Sequence, residues 1–187
     1  MTVAHPDRRT ALVQEAFRAI AERGLEGLRL RAVAAAAGID HSTLHHHFAT
    51  KQDLIVAVVG RATEPLRSTI ADHDTPGERL DAHLATLAAM MQSRPDLFVV
   101  LAEIDLRARR DPDVATAVGE IEAGWRLALR ALFRDSGISA DPDDMTELTI
   151  AAVKGVRLDP ARGSVVLTAL RALVSRALQD ASEAGVS

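Results

Sequence analysis

The sequence predicts an all-α protein: an N-terminal three-helix head with helix-turn-helix spacing, followed by a six-helix C-terminal body. Three observations predict it. Apolar residues recur three and four positions apart through nearly all of the 187 residues, while β-branched alternation is scarce and Tyr is absent. Thr75-Pro76, Asp111-Pro112, Asp141-Pro142 and Asp159-Pro160 each place a capping oxygen before a proline at a first helical position, where the missing N–H has no intrahelical acceptor to lose. Finally, "VAAAAGID" closes one short helix on Gly38 and restarts after only Ile39 and Asp40, the tight link of a helix-turn-helix. The expected helices are 7–23, 31–37, 41–47, 51–71, 76–93, 95–109, 112–136, 142–157 and 160–180, with the head spanning residues 1–53 and the body 54–187.

Each head element has a local reason. The first helix sets Leu12, Val13, Ala16, Phe17 and Ile20 on one face and Gln14, Glu15, Arg18 and Glu22 on the other. The next two are too short to be stable alone and must pack on it. In the third, at about 100° per residue, Leu44 and Phe48 point one way while Ser42, Thr43, His45 and His46 occupy the remaining arc. Thr50-Lys51-Gln52-Asp53 reads as a capping box with Asp in place of Glu, opening the fourth helix. That helix links head to body, and Pro65 inside it is expected to bend or divide it.

Composition narrows the function classes. With 48% hydrophobic and 26% charged residues the chain is an ordinary globular sequence, and no apolar run approaches the roughly 18 residues of a membrane span. Without Cys there is no disulfide framework and no thiolate nucleophile. "MTVAHPDRRTALVQEAF" has no basic-then-apolar leader, so secretion is unsupported and a cytoplasmic location is expected. No cofactor is expected, and the absence of a Gly-rich phosphate loop or a Ser/His/Asp motif argues against an enzyme. Residues 1–53 carry seven basic side chains against six acidic and five of the seven histidines, whereas the remainder carries fifteen against twenty. A chain of net charge −4 therefore has a basic-leaning head, which suits an anionic partner.

The stretch "AGIDHSTLHHHFATKQDL" concentrates the chemistry. A short helix with a small, polar, donor-rich outer face suits a DNA major groove, and the N–H groups opening the next helix, with Lys51, form a seat for a backbone phosphate. Two other readings compete. The face could simply be solvated, or the histidines could bind metal; consecutive helical residues diverge too far for His45, His46 and His47 to converge, so only His41 and His45 could form half a site. A metal-responsive sensor and a helical protein-binding adaptor are accordingly the alternative functions. Protonation of the histidines could also strengthen phosphate binding at lower pH.

At these residues the chain resembles the TetR-type (tetracycline-repressor-like) transcriptional regulators. The matching elements are "ALVQEAFRAIAERG", "VAAAAGID" and "STLHHHFATKQDL", within residues 7–54. The resemblance implies a DNA-binding regulator, a ligand-released repressor acting as a homodimer on a palindromic double-stranded operator. It also implies that Arg31, His41, Ser42, Thr43, His45, His46 and Lys51 lie at DNA-contacting positions. Two residues depart from the family pattern: His45 stands where Tyr is usual, and Arg29 where Thr or Ser is common, leaving the second helix no side-chain oxygen at its start.

In the body, a TetR-like architecture implies a cavity for a small, mainly apolar effector, for which His83, Leu87, Met90, Met91, Phe98, Leu101, Trp125, Leu129 and Phe133 are the candidates. Core packing explains most of them equally well, and His83 is expected to be a satisfied core histidine before a ligand-orienting one. The row Glu122, Arg126, Arg130, Arg134 reads as a solvated face with ion pairs along its own helix. The last two helices are apolar over more than one stripe, so a second buried face is expected. Leu148, Ala152, Gly155, Val166, Leu170, Leu173, Val174 and Leu178 are the candidates for a homodimer interface built as a four-helix bundle.

Overall fold

The computed structural model describes residues 7–67 and 75–184, and every regular element among them is helical. The order is α1 (Arg8–Arg23), a one-turn 3-10 helix (Leu25–Gly27), α2 (Leu30–Ala36), α3 (His41–His47), α4 (Lys51–Arg67) and α5 (Pro76–Ser93). Then follow α6 (Pro95–Ala108), α7 (Pro112–Asp135), α8 (Pro142–Leu158), a second 3-10 turn (Pro160–Arg162) and α9 (Gly163–Ala184). Residues 68–71, expected to complete the fourth helix, lie outside the described residues. No helix among the described residues is long and apolar enough to cross a membrane.

Three of the four expected proline starts are capped. Thr75 and Glu78 form a reciprocal box, the Glu78 N–H donating to Thr75 Oγ1 at 3.2 Å and the Thr75 N–H to Glu78 Oε2 at 3.0 Å. Asp141 Oδ1 accepts from the N–H groups of Asp143 and Asp144, and Asp111 Oδ1 from that of Val114 at 3.3 Å. The fourth start differs. Asp159 makes no side-chain cap; Pro160–Arg162 turn as a 3-10 helix, and α9 begins only at Gly163. Gly163 is buried against α5: a Cβ there would stand 2.5 Å from Met91 Cε, so a larger residue would require the end of the Met91 side chain to shift.

Packing divides the chain into two compact units, at different points from the expected 53/54 division. One runs to Glu64 and takes in Val99–Gly119; the other comprises Pro65–Phe98 and Glu120 onward. The first half of α4 belongs with the head because Leu54, Ile55, Val58, Val59 and Ala62 are all buried there. The change of unit falls at Pro65, which has no N–H for the carbonyl of Arg61, while Thr63 Oγ1 bonds the Val59 carbonyl at 2.7 Å. The helix is nevertheless not divided, since it continues through Pro65 to Arg67. Nor is α4 the one helix running from unit to unit: α6 and α7 do so as well.

In the first unit α1 packs on α2 and on the 3-10 turn, and α2 on α3. In the second, α9 lies along both α5 and α8. Its core gathers Leu80, Leu84 and Leu87 of α5, Leu129 and Phe133 of α7, Ile150 and Val153 of α8, and Leu167, Leu170 and Val174 of α9. Each such side chain contributes about 1.5–3 kcal/mol by leaving water. Arg171 of α9 forks onto Asp81 of α5 through two bonds of 2.9 and 2.8 Å. The basic row of α7 finds partners on α8 rather than on its own helix: Glu122 pairs with Lys154, Arg126 with Glu147, and Arg130 with Asp143. Arg134 alone pairs locally, with Asp135.

Candidate nucleic-acid interface

The turn before α3 is set by one glycine. Gly38 adopts φ +66°, and α2 closes with the Gly38 N–H on the Ala35 carbonyl (3.1 Å) and the Ile39 N–H on that of Ala34 (2.9 Å), a Schellman pair. α3 then starts after Asp40. Its Leu44 is fully buried and Phe48, which ends it, is 2% exposed, so these two side chains fix its rotation. Ser42, His45 and His46 are left exposed, and His41, Thr43 and His47 half-buried. The rings of His41 and His45, one helical turn apart, have centroids 4.7 Å apart at an interplanar angle of 40°.

α2 supplies exposed Arg31 to the same helix-turn-helix. Arg29 precedes it without a side-chain cap and folds its guanidinium back onto the carbonyls of Glu26 and Leu28, tying the start of α2 to the 3-10 turn. α4 opens with the capping box: the Thr50 N–H donates to Asp53 Oδ2 at 2.9 Å and the Asp53 N–H to Thr50 Oγ1 at 3.1 Å. Lys51, the first residue of α4, is half-buried and its Nζ donates to the Leu25 carbonyl at 3.4 Å. Burial, and then the neighbouring Arg29 guanidinium, lower its pKa below the ordinary lysine value; Glu26 opposes the shift and Arg107 adds to it.

Lys51 lines a cleft of about 280 Å³ with Leu25, Glu26, Thr50, Gln52, Ile55 and Arg107. The segment 99–119 contributes more than Arg107. Glu103 Oε2 accepts from the Leu25 N–H at 2.9 Å, and Asp111 accepts from Gln52 Nε2 at 2.7 Å and from Arg107 Nε at 2.9 Å. Gly24, at φ +68°, brings the backbone close enough that a Cβ there would sit 3.2 Å from Glu103 Oε2. Sequence reasoning misses these residues, because their partners are 59 and 78 positions away and no local pattern marks them.

The body candidates are distributed as follows. His83 is fully buried and its Nε2 accepts from the indole N–H of Trp125 at 3.0 Å. Leu87, Leu129 and Phe133 belong to the buried cluster of the second unit, with Met91 and Trp125 packed against it; Met90 is half-buried and Phe98 buried. Leu101 is buried but belongs to the first unit. Of the interface candidates, Leu148, Gly155 and Leu173 are exposed and Ala152 and Val166 half-buried. Leu170 and Val174 are core residues of the protomer, and Leu178 packs against that core. Exposed Leu158 and Val165, which periodicity did not single out, lie on the same two helices.

Two family models match this chain. Residues 12–58 match the model described as bacterial regulatory proteins, tetR family, and residues 76–182 match the BetI-type transcriptional repressor, C-terminal. The HTH-type transcriptional repressor Rv3405c of Mycobacterium tuberculosis is 29% identical over 166 residues, 80% of this chain and 88% of that protein. The HTH-type transcriptional regulator BetI of Rhizobium meliloti is 26% identical over 113 residues, 58% of this chain and 56% of its own length, so the match spans little more than half of that relative. Among solved structures, a transcriptional regulator from Rhodococcus sp. Rha1 superposes with a TM-score of 0.80 at 26% identity, covering 92% of this chain and 97% of the other. The helix-turn-helix with its open polar face lies within the stretch that matches the tetR-family model, which makes the chain a DNA-binding transcriptional regulator. The chain belongs to the tetR family of bacterial regulatory proteins, and its second half is of the BetI type.

Proposed function

We propose that this regulator is a repressor that occupies a palindromic operator as a homodimer and is released by a small, mainly apolar molecule. The observation that carries the reading is the one-sided build of α3: Leu44 and Phe48 are spent on packing, which leaves Ser42, His45 and His46 facing solvent beside the capped start of α4. Thr43 and its neighbours would read base edges, while Lys51 and Arg31 would take phosphates and so fix the register.

A twofold dimer presents two copies of α3 to successive major grooves, about 34 Å apart. The exposed apolar side chains Leu148 and Leu173, with Leu158 and Val165, support α8 and α9 as the self-pairing face. His83, Leu87, Met91, Trp125, Leu129 and Phe133 are the proposed surroundings of the effector, which drives release by binding better to the DNA-free state. A protein of this kind works in the cytoplasm on the nucleoid. The test is fluorescence anisotropy on a duplex from the protein's own upstream region. Saturation at two chains per site supports the reading; binding that ignores salt would instead indicate a protein-binding adaptor.

A further inference from the structure

We propose that Arg9, in the first turn of α1, is a further DNA contact: a guanidinium held ready on the ring of Phe48 to take a backbone phosphate beside the end of α3. The proposal rests on the DNA-binding reading and extends its contact surface to α1. Arg9 Cζ sits 4.8 Å from the centroid of the Phe48 ring, and Phe48 is the residue that closes α3, its N–H bonded to the Leu44 carbonyl at 2.9 Å. The arginine is therefore tied in position to the helix that carries His45 and His46.

Its donors are unspent. In the same unit Arg18 pairs with Glu15, Arg23 with Glu22, Arg61 with Glu64 and Gln14, and Arg29 with two backbone carbonyls. Exposed Arg9 makes no hydrogen bond or ion pair among the described residues; its one partner is an aromatic face, which attracts the cation yet accepts none of its five N–H groups in the way an oxygen does. A stacked guanidinium has also lost part of its rotamer freedom before any ligand arrives, so less entropy remains to be lost when it meets a phosphate fork-on.

The competing role is purely structural, a lid on Phe48 and a positive charge near the C-terminal end of α3. The salt dependence of binding separates the two. The full-length chain and its Arg9→Gln and Arg9→Lys variants are titrated by fluorescence anisotropy against the upstream duplex and an unrelated duplex, over a series of KCl concentrations. With a phosphate contact, Arg9→Gln flattens the slope of log K against log salt by about 0.9 per protomer and weakens both duplexes alike, about five-fold per protomer at 0.15 M salt, while Arg9→Lys keeps the slope. A slope untouched by Arg9→Gln overturns the proposal, whether or not its thermal midpoint shifts. Should the unaltered chain bind neither duplex, the DNA-binding reading itself falls and this proposal with it, a result unlike that of a chain that binds but ignores Arg9.

Discussion

The indole N–H of Trp125, on α7, donates to Nε2 of His83, on α5, across 3.0 Å, with the two rings edge-on at 63°. An indole nitrogen only donates, so Nε2 of this fully buried histidine is an acceptor and the proton of the neutral ring resides on Nδ1. The bond gives a polar group inside the second unit a partner, and replacing either residue removes one hydrogen bond between α5 and α7. His83→Phe is expected to cost about 0.5–1.5 kcal/mol, the net contribution of one intramolecular hydrogen bond. Trp125→Phe should cost a comparable amount plus lost packing, and the double variant less than the sum. Urea unfolding at unchanged m-value measures all three; strict additivity would mean that the bond contributes nothing.

The chain has two lysines, Lys51 and Lys154, in contrasting surroundings. Burial and the nearby Arg29 lower the pKa of Lys51, whereas Lys154 is paired with Glu122. A lowered pKa means that at any pH between neutrality and the ordinary lysine value a larger share of Lys51 is the free amine. An acylating reagent at mildly alkaline pH should therefore modify Lys51 ahead of Lys154, as read by peptide mass spectrometry. Operator DNA should slow the modification of Lys51 and leave that of Lys154 unchanged.

Of the pairs joining α7 to α8, Arg130–Asp143 is open to water, its two side chains more than half exposed, at 54% and 55%. Such a pair contributes less than about 1 kcal/mol and weakens as salt rises. A double-mutant cycle on Arg130→Ala and Asp143→Ala should give a coupling energy inside that range at low salt and nothing measurable at about 1 M, where the Debye length is about 3 Å. Coupling that survives high salt would show that the pair acts through packing.

Much of this fold is legible in the sequence because short-range chemistry marks it. The Thr75–Glu78 and Thr50–Asp53 boxes span three residues, and the left-handed Gly38 closes α2 through bonds to its own last turn. What escapes the sequence depends on distant partners. Gly163, at the start of α9, packs beside Met91 of α5, and Arg126 and Arg130 pair across helices because α8 offers Glu147 and Asp143. Periodicity likewise shows that α9 has apolar residues around more than one face without saying which face is covered. Leu170 and Val174 turn inward and Leu173 outward, a distinction that only packing against α5 and α8 makes. At the candidate nucleic-acid interface, the small polar face of α3 is readable from spacing, whereas the acceptors Glu103 and Asp111 are not.

The exposed leucines set a further expectation. Leu148 is 49% exposed and Leu173 53% exposed on adjacent helices of the protomer, so replacing either with Glu should leave its folding intact, because neither belongs to the buried cluster. If these helices pair with their copies, Leu148→Glu and Leu173→Glu shift the sedimentation profile from two chains to one and weaken operator binding together. A variant that stays dimeric would remove α8 and α9 from the proposed interface.

The most direct measurement is an anisotropy titration of the full-length protein on its own upstream duplex at several salt concentrations, with Ser42→Ala, Thr43→Val and His46→Ala run beside it. An α3 seated in the major groove predicts saturable binding whose log K falls linearly with log salt, together with variants that lose discrimination between this duplex and an unrelated one. Equal affinity for both duplexes in the unaltered protein, or variants that leave discrimination untouched, would contradict it.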